Sequence, residues 1–199
     1  MTQNTSSMLL RAFIAIELPA GIQAAIADST AGLQKALPKP LVRWVVPRNL
    51  HLTLKFLGDI SPANLEQLAG ALKAALIHQE RFSFSVGGFG AFPTPRRPRT
   101  IWIGLDAPAA LTTVQRAVEG VSARMGYPAE DRPFSPHLTI GRVGQEASPA
   151  DLKRINALLE ATEVGTLGTV SVEAIHIFKS DLQPGGSVYT HLYAMPLKA

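Results

Sequence analysis

Apolar residues recur along the chain in two periods, one typical of strands and one typical of helices. Apolar residues spaced three and four apart predict helices at residues 20–37, 108–125 and 148–159, and another that begins at Ser61 and Pro62. Short runs rich in apolar residues, several of them alternating, predict strands at residues 10–18, 42–45, 50–57, 82–89, 100–105, 136–143, 170–178 and 188–197. Several strands follow one another directly, so the pattern favours an α+β fold with antiparallel sheets over a doubly wound parallel one.

Two segments between these elements carry turn signals. Residues 91–99 (AFPTPRRPR) hold three prolines and three arginines, which predicts a loop, and residues 183–186 (QPGG) predict a tight turn. The three arginines, Arg96, Arg97 and Arg99, fit either an RNA-backbone contact or a solvated lid.

Composition limits the class of protein. The chain has 199 residues, of which 46% are hydrophobic and 17% charged, so we expect one folded domain over residues 1–199 rather than a disordered chain. An apolar run of about 20 residues, as a membrane span needs, does not occur. The first seven residues carry no basic charge, which argues against a secretory signal. We therefore expect a cytoplasmic protein without a membrane partner.

Charge and cysteine content narrow the chemistry. Cysteine is absent, which excludes disulfides, thiol catalysis and thiolate metal sites, and the five histidines show no HxH or HExxH spacing. We expect no metal and no cofactor. Residues 1–100 carry 11 Lys and Arg against 5 Asp and Glu, whereas residues 101–199 carry 8 against 10. The basic half fits an anionic ligand such as RNA, although ordinary solubility charge explains it more simply.

Two predicted strands contain the same short pattern, His-x-Thr. His51 and Thr53 lie in the first, and His137 and Thr139 lie in the second, 86 residues later. Because residues i and i+2 of a strand point to one face, each strand presents an imidazole beside a hydroxyl. One such pattern is weak, since a strand histidine is often simply half buried. Two with matched flanks predict two pairs that converge on one cleft.

Such a cleft suits a phosphodiester. A neutral imidazole can take the proton of an attacking hydroxyl or water, while a protonated one gives a proton to the leaving oxygen. Both forms coexist near neutral pH because the ordinary histidine pKa is about 6.5. The threonine hydroxyls, with a nearby cation, would hold the phosphate oxygens.

The chain resembles the 2H phosphoesterases, and within them the bacterial RNA 2′,3′-cyclic phosphodiesterases, also called 2′-5′ RNA ligases. The resemblance covers nearly the whole chain. It is carried by the segments RAFIAIELP (11–19), NLHLTLKFLG (49–58), FPTPRRPRTIWIG (92–104) and FSPHLTIGR (134–142), and near the end by Ser180-Asp-Leu and Tyr189.

The resemblance implies a bilobal (LigT-like) α+β fold, in which two pseudo-symmetric lobes with antiparallel sheets flank a central cleft and the helices lie outside. It implies hydrolysis of a terminal 2′,3′-cyclic phosphate on RNA to a 2′-phosphate, without a metal. His51 matches the proton donor, His137 matches the acceptor that activates water, and Thr53 and Thr139 match the phosphate-holding positions. The partner would be RNA with such ends, including tRNA fragments or nucleotides, bound by a monomer.

Arg142 is a further substrate-binding candidate. On a regular strand it would lie on the face opposite His137, so it is either a surface charge or, if the strand bends near Gly141, a phosphate ligand. The resemblance favours the ligand.

Weaker candidates lie nearby. Parity places Lys55 on the His51 face, although a surface position is the safer interpretation. Phe56 and Trp44 fit either base stacking or, as we favour, core packing. Alternation predicts that His176 faces solvent, and His191 shares a face with Tyr189.

Two other functions compete with hydrolysis. A 2′-5′ RNA ligase would join 2′,3′-cyclic phosphate and 5′-hydroxyl ends with the same two histidines. A nucleotide-binding or RNA-binding module would keep the cleft without turnover, but binding alone does not need a paired acid and base.

Overall fold

The computed structural model describes residues 9–184 and 186–199, and within them the chain is α+β, as predicted. A short 3-10 turn spans Pro47–Asn49. The strands are β1 Leu10–Glu17, β2 Val42–Trp44, β3 His51–Ile60, β4 Phe82–Thr94, β5 Arg97–Asp106, β6 Leu138–Val143, β7 Thr166–Val172, β8 Ala174–Gln183 and β9 Gly186–Pro196. The helices are α1 Ala20–Ala36, α2 Pro62–Leu76, α3 Ala109–Arg124 and α4 Pro149–Glu160.

The strands form two antiparallel sheets. Sheet I has the order β3-β1-β8-β9, and sheet II has the order β2-β6-β5-β4-β7. Helix α3 follows β5 of sheet II but packs against α2 and β3 of sheet I, whereas α1 follows β1 of sheet I but packs against β7 of sheet II. The two sheets therefore exchange helices, and the expectation of two antiparallel sheets flanked by helices is confirmed.

The core lies mainly between the sheets and their helices, and sheet I also buries apolar residues on its other face. Ile14 and Ile16 belong to the main core, while Phe13 and Ala15 of the same strand form a second cluster with Phe178. Strand β1 is thus covered on both faces, because Phe13 and Phe178 form an aromatic layer on the face of sheet I opposite the main core.

Three predicted segments differ from the structure. Residues 91–99 are not a loop: β4 and β5 continue through them as a hairpin, with Pro93 opposite Pro98 and only residues 95–96 in the turn. The single strand predicted at 170–178 is two, because β7 ends at Val172 and the chain passes at Glu173 into β8 of the other sheet. The turn predicted at 183–186 includes residue 185, which lies outside the described residues.

Within the described part of the chain, no helix is both long enough and apolar enough to cross a membrane.

Candidate active site

The two His-x-Thr motifs lie on different sheets that meet. His51 is the first residue of β3 in sheet I, and His137 directly precedes β6 in sheet II. Strands β3 and β6 contact each other where the two sheets approach. The two strands that carry the motifs therefore adjoin, as a shared cleft requires, and we call the region between them the groove.

The two imidazoles are held in the same way. Nδ1 of His51 lies 2.7 Å from the carbonyl oxygen of Asn49, and Nδ1 of His137 lies 2.7 Å from that of Ser135. A carbonyl oxygen only accepts hydrogen bonds, so Nδ1 carries the hydrogen in both rings. Each Nε2 is left as the nitrogen that can give or take a proton.

The surroundings of His51 are apolar. Its ring centroid lies 4.7 Å from that of Phe13 and 5.3 Å from that of Tyr189, which stands edge-on to it. Burial lowers the pKa of His51, the Asn49 carbonyl opposes that effect, and the positive charge of Arg142 lowers the pKa further. That electrostatic effect indicates that Arg142, on sheet II, lies near the histidine of sheet I.

A β-bulge in β3 sets which side chains share the groove with Thr53. Thr53 pairs with Ala15 and Lys55 pairs with Ile14, so Leu54 is an extra residue. Beyond it the alternation reverses, and Phe56 pairs with Phe13 on the face of Thr53. The side chain of Lys55 turns to the opposite face.

The second motif contains a bulge at the equivalent place. Thr139 pairs with Trp102 and Gly141 pairs with Ile101, which leaves Ile140 as the extra residue. Arg142 then pairs with Thr100, two residues before Trp102, and so lies on the face of Thr139. The bend that Arg142 requires is therefore present, one residue before the predicted position.

Lys55 does not lie where its position in the strand predicted. It lies neither in the groove nor on the surface: its exposed fraction is 3%. Its Nζ donates to Glu119 Oε1 at 2.7 Å and to the carbonyl oxygen of Pro128. The parity argument failed because it assumed a regular strand, and the bulge at Leu54 turns Lys55 towards α3.

The two aromatic candidates, Phe56 and Trp44, lie in different environments. Phe56 is 56% exposed on the groove face, so the core-packing interpretation is wrong for it. Trp44 packs against the main core, and its Nε1 donates to the carbonyl oxygen of Leu37 at 2.9 Å, which confirms the interpretation we favoured.

His176 is not solvent-facing as predicted. It is half buried, and its Nδ1 lies 2.5 Å from Nε2 of His191 on the neighbouring strand. Alternation placed it correctly opposite Ile175 and Ile177, but that face is the groove side of sheet I rather than open solvent.

The three arginines of the hairpin, Arg96, Arg97 and Arg99, are exposed. At its base, the ring of Phe92 stands edge-on to His137, with centroids 4.9 Å apart. Phe13 and Glu17, which lie beside His51, were not predicted from the sequence. The signal was available, because they alternate with the buried Ile14 and Ile16 along β1.

Among residues 9–184 and 186–199, no group of three or more His, Asp or Glu side chains is placed to hold a metal ion.

The chain is similar to known proteins. The family model "LigT like Phosphoesterase" matches the chain twice, over residues 16–102 and 103–189. The chain is 33% identical to an RNA 2′,3′-cyclic phosphodiesterase of Methanothermobacter thermautotrophicus over 93% of its own length and 97% of the relative's. It is 35% identical to the protein of that name from Escherichia coli, over 69% and 74% of the two chains.

Solved structures have a similar fold. The crystal structure of E. coli LigT complexed with 3′-AMP superposes with a TM-score of 0.75 at 27% identity, covering 96% of this chain and 99% of that one. The double match divides the chain into halves that each hold one His-x-Thr motif. The chain belongs to the LigT-like phosphoesterases of the 2H superfamily.

Proposed function

We propose that the protein hydrolyses terminal 2′,3′-cyclic phosphates on RNA to 2′-phosphates by metal-independent acid–base catalysis. The observation that carries the proposal is the matched pair of imidazoles, each with Nδ1 fixed by a backbone carbonyl and Nε2 free. The names of the curated relatives support the substrate class.

The reaction needs one group to take a proton and one to give it. His137 Nε2 accepts the proton of the attacking water, while protonated His51 Nε2 gives its proton to the leaving 3′-oxygen. Thr53 and Thr139 donate hydrogen bonds to the non-bridging oxygens, and Arg142 opposes the negative charge that grows there.

The environment of His51 suits a proton donor in one respect and opposes it in another. A lowered pKa makes protonated His51 a stronger acid, so its proton transfers more readily. The same shift leaves fewer molecules protonated near neutral pH. An anionic phosphate bound in the groove favours the protonated form and so offsets the effect of burial.

The test is hydrolysis of a short RNA that ends in a 2′,3′-cyclic phosphate, with EDTA present, across the pH range in which histidine titrates. The wild-type protein should release a 2′-phosphate end, and His51→Ala and His137→Ala should not do so at a comparable rate. A wild-type protein without turnover overturns the proposal. Joining of a 5′-hydroxyl RNA under the same conditions would establish the ligase instead.

A further inference from the structure

Sheet II carries another arginine directly beside Arg142. Arg43 of β2 pairs with Arg142 of β6. The neighbours of Arg43 along β2, Val42 and Trp44, pack into the main core. Arg43 itself is exposed, so it lies on the opposite face, which is the groove face of sheet II. Like charges directly opposite each other on paired strands destabilise a sheet, and an anion bound between them removes that cost.

A bulge in β5 determines which arginine of the β4–β5 hairpin faces the groove. Thr100, which lies on the groove face, pairs with Phe92 of β4. The next pair in the hairpin is Pro93 with Pro98, which leaves Arg99 as an extra residue of β5. Beyond Arg99 the alternation along β5 therefore reverses.

The reversal separates Arg97 from Arg99. Pro98 is buried, as expected for a residue on the core face, and Arg97 follows on the groove face. The extra residues of the two motif bulges, Leu54 and Ile140, are buried on the side away from the groove, and Arg99 corresponds to them. Arg97 and Arg99 thus place equal charges on opposite faces of one hairpin.

The groove-face arginines of sheet II have no carboxylate partner in the part of the chain that the structure describes. The ion pairs within residues 9–184 and 186–199 do not involve Arg43, Arg97 or Arg142. Asp106 is the one acidic residue in the five strands of sheet II, and it lies at the far end of β5, six residues or about 20 Å from Thr100. This end of the face is therefore positively charged.

The facing part of sheet I contains one carboxylate near His51. Glu17 lines a cavity of about 240 Å³ beside that histidine, and the guanidinium of Arg48 contributes to the same lining. The charge of Glu17 thus lies in a cavity that also holds a cation, whereas the arginines of sheet II form a patch of one sign.

We propose that Arg43 and Arg97 bind phosphates of the RNA strand upstream of its cyclic end. This rests on the proposed function, which puts the terminal phosphate beside Arg142. Neighbouring strands lie about 5 Å apart, and the position of Arg97 is about 7 Å farther along the hairpin than that of Thr100, so one RNA strand can contact all three guanidinium groups. Such phosphate contacts hold a strand in register without reading its sequence.

Binding of reaction products tests this proposal without requiring turnover. One ligand is adenosine 2′-monophosphate, which has no upstream phosphate, and the other is a tetranucleotide RNA that ends in a 2′-phosphate. The wild-type protein should bind the tetranucleotide more tightly. In Arg43→Gln and in Arg97→Gln, calorimetry should show roughly 3- to 10-fold weaker binding of the tetranucleotide, and less than about a twofold change for the mononucleotide. Each lost contact should also reduce the slope of log affinity against log salt by about 0.7.

Arg99→Gln is the matched control, because it removes the same charge from the other face of the same hairpin. It should keep the wild-type affinity for the tetranucleotide. An equal loss in Arg99→Gln, or unchanged affinity in Arg43→Gln and Arg97→Gln, overturns the proposal even if the RNA is hydrolysed. Equal losses for both ligands also overturn it, because the arginines would then bind only the terminal phosphate. A loss confined to the tetranucleotide, in a protein without turnover, would support the backbone site and remove the proposed hydrolysis.

Discussion

The two motif strands, β3 of sheet I and β6 of sheet II, follow one plan and carry different side chains. In both, a bulge follows the threonine, at Leu54 and at Ile140. The fourth residue after the histidine then points away from the groove, and the fifth points into it. The bulge is therefore part of the motif's geometry, and it decides which later residue can meet a phosphate.

The positions that point away from the groove, four residues after each histidine, hold different residues in the two strands. In β3 the position holds Lys55, whose charge is buried against Glu119. In β6 it holds Gly141, where an added Cβ would lie 2.9 Å from the Trp44 ring. The space beside β3 is filled by the ion pair of Lys55 with Glu119, and the space beside Gly141 is filled by the Trp44 indole.

The groove positions differ as well. The fifth residue after the histidine is the exposed aromatic Phe56 in sheet I and the cation Arg142 in sheet II. Sheet II thus contributes the positive charge, whereas sheet I contributes an aromatic surface and a histidine of lowered pKa. Equivalent positions therefore carry an aromatic surface in sheet I and a positive charge in sheet II.

The largest expected effect separates the roles of the two histidines. Each of His51→Ala and His137→Ala should lower kcat by about 10²- to 10⁴-fold on the natural cyclic phosphate. In a substrate whose bridging 3′-oxygen is replaced by sulfur, the leaving group is a thiolate. A thiolate leaves without receiving a proton. With it, the loss in His51→Ala should shrink to less than about 10-fold, while His137→Ala stays impaired.

His78→Ala is the control for this experiment, because His78 is exposed after the end of α2. Recovery of His137→Ala instead of His51→Ala with the sulfur substrate would reverse the assignment of donor and acceptor.

The next effect concerns the buried ion pair that only sheet I has. Lys55→Met should lower the free energy of unfolding by about 3–5 kcal/mol, because it leaves the Glu119 carboxylate in contact with its neighbours but without its cation. Denaturant unfolding measures this, and adding Glu119→Gln should restore part of the loss.

Lys179 and Asp181 form a matched surface pair, with Nζ 2.9 Å from Oδ1 and both side chains partly exposed. Lys179→Met should cost about 0–1 kcal/mol. If both lysine substitutions cost the same, Lys55 does not contribute as a buried partner.

The third prediction tests whether charge from sheet II reaches the histidine of sheet I. Arg142→Gln should lower kcat by about 10²- to 10³-fold, as loss of an oxyanion ligand does. It should also raise the pKa of His51, because Arg142 is one cause of its lowering from 6.5. Titration of the imidazole C–H signals by NMR measures the pKa directly.

The direction of the change in the pKa of His51 should also be visible in the pH dependence of kcat/KM. A proton donor must be protonated, so kcat/KM in the wild type falls as pH rises through the lowered pKa of His51. In Arg142→Gln that fall should move to higher pH, whereas Arg116→Gln, on the exposed side of α3, should leave it in place. An unmoved pKa of His51 would place Arg142 out of its reach.

Periodicity alone predicted the α+β class and most strands, and the paired motifs predicted that His51 and His137 share a groove. The errors at Lys55 and Phe56 have one cause in common. Parity holds only along a regular strand, and the bulge at Leu54 reversed it for Lys55 and Phe56. A bulge depends on the partner strand, so it is invisible in the local pattern.

The burial of a side chain by elements distant in sequence was the second feature that could not be predicted. His176 was assigned to the correct face, but its burial depends on His191 in β9. The hairpin through residues 91–99 was not predicted because of its three prolines. Two of them, Pro93 and Pro98, pair with each other across the strands, and Pro95 lies in the turn.

The exchange of helices between the sheets has a mechanical consequence. In the order of elements the chain passes between the two sheets and their packed helices six times, at β1–α1, β2–β3, α2–β4, β5–α3, α3–β6 and β7–β8. Two bodies joined by a single linker can swing apart, but six crossings restrain rotation about any one axis. We therefore expect the groove between His51 and His137 to change little in width when a substrate binds.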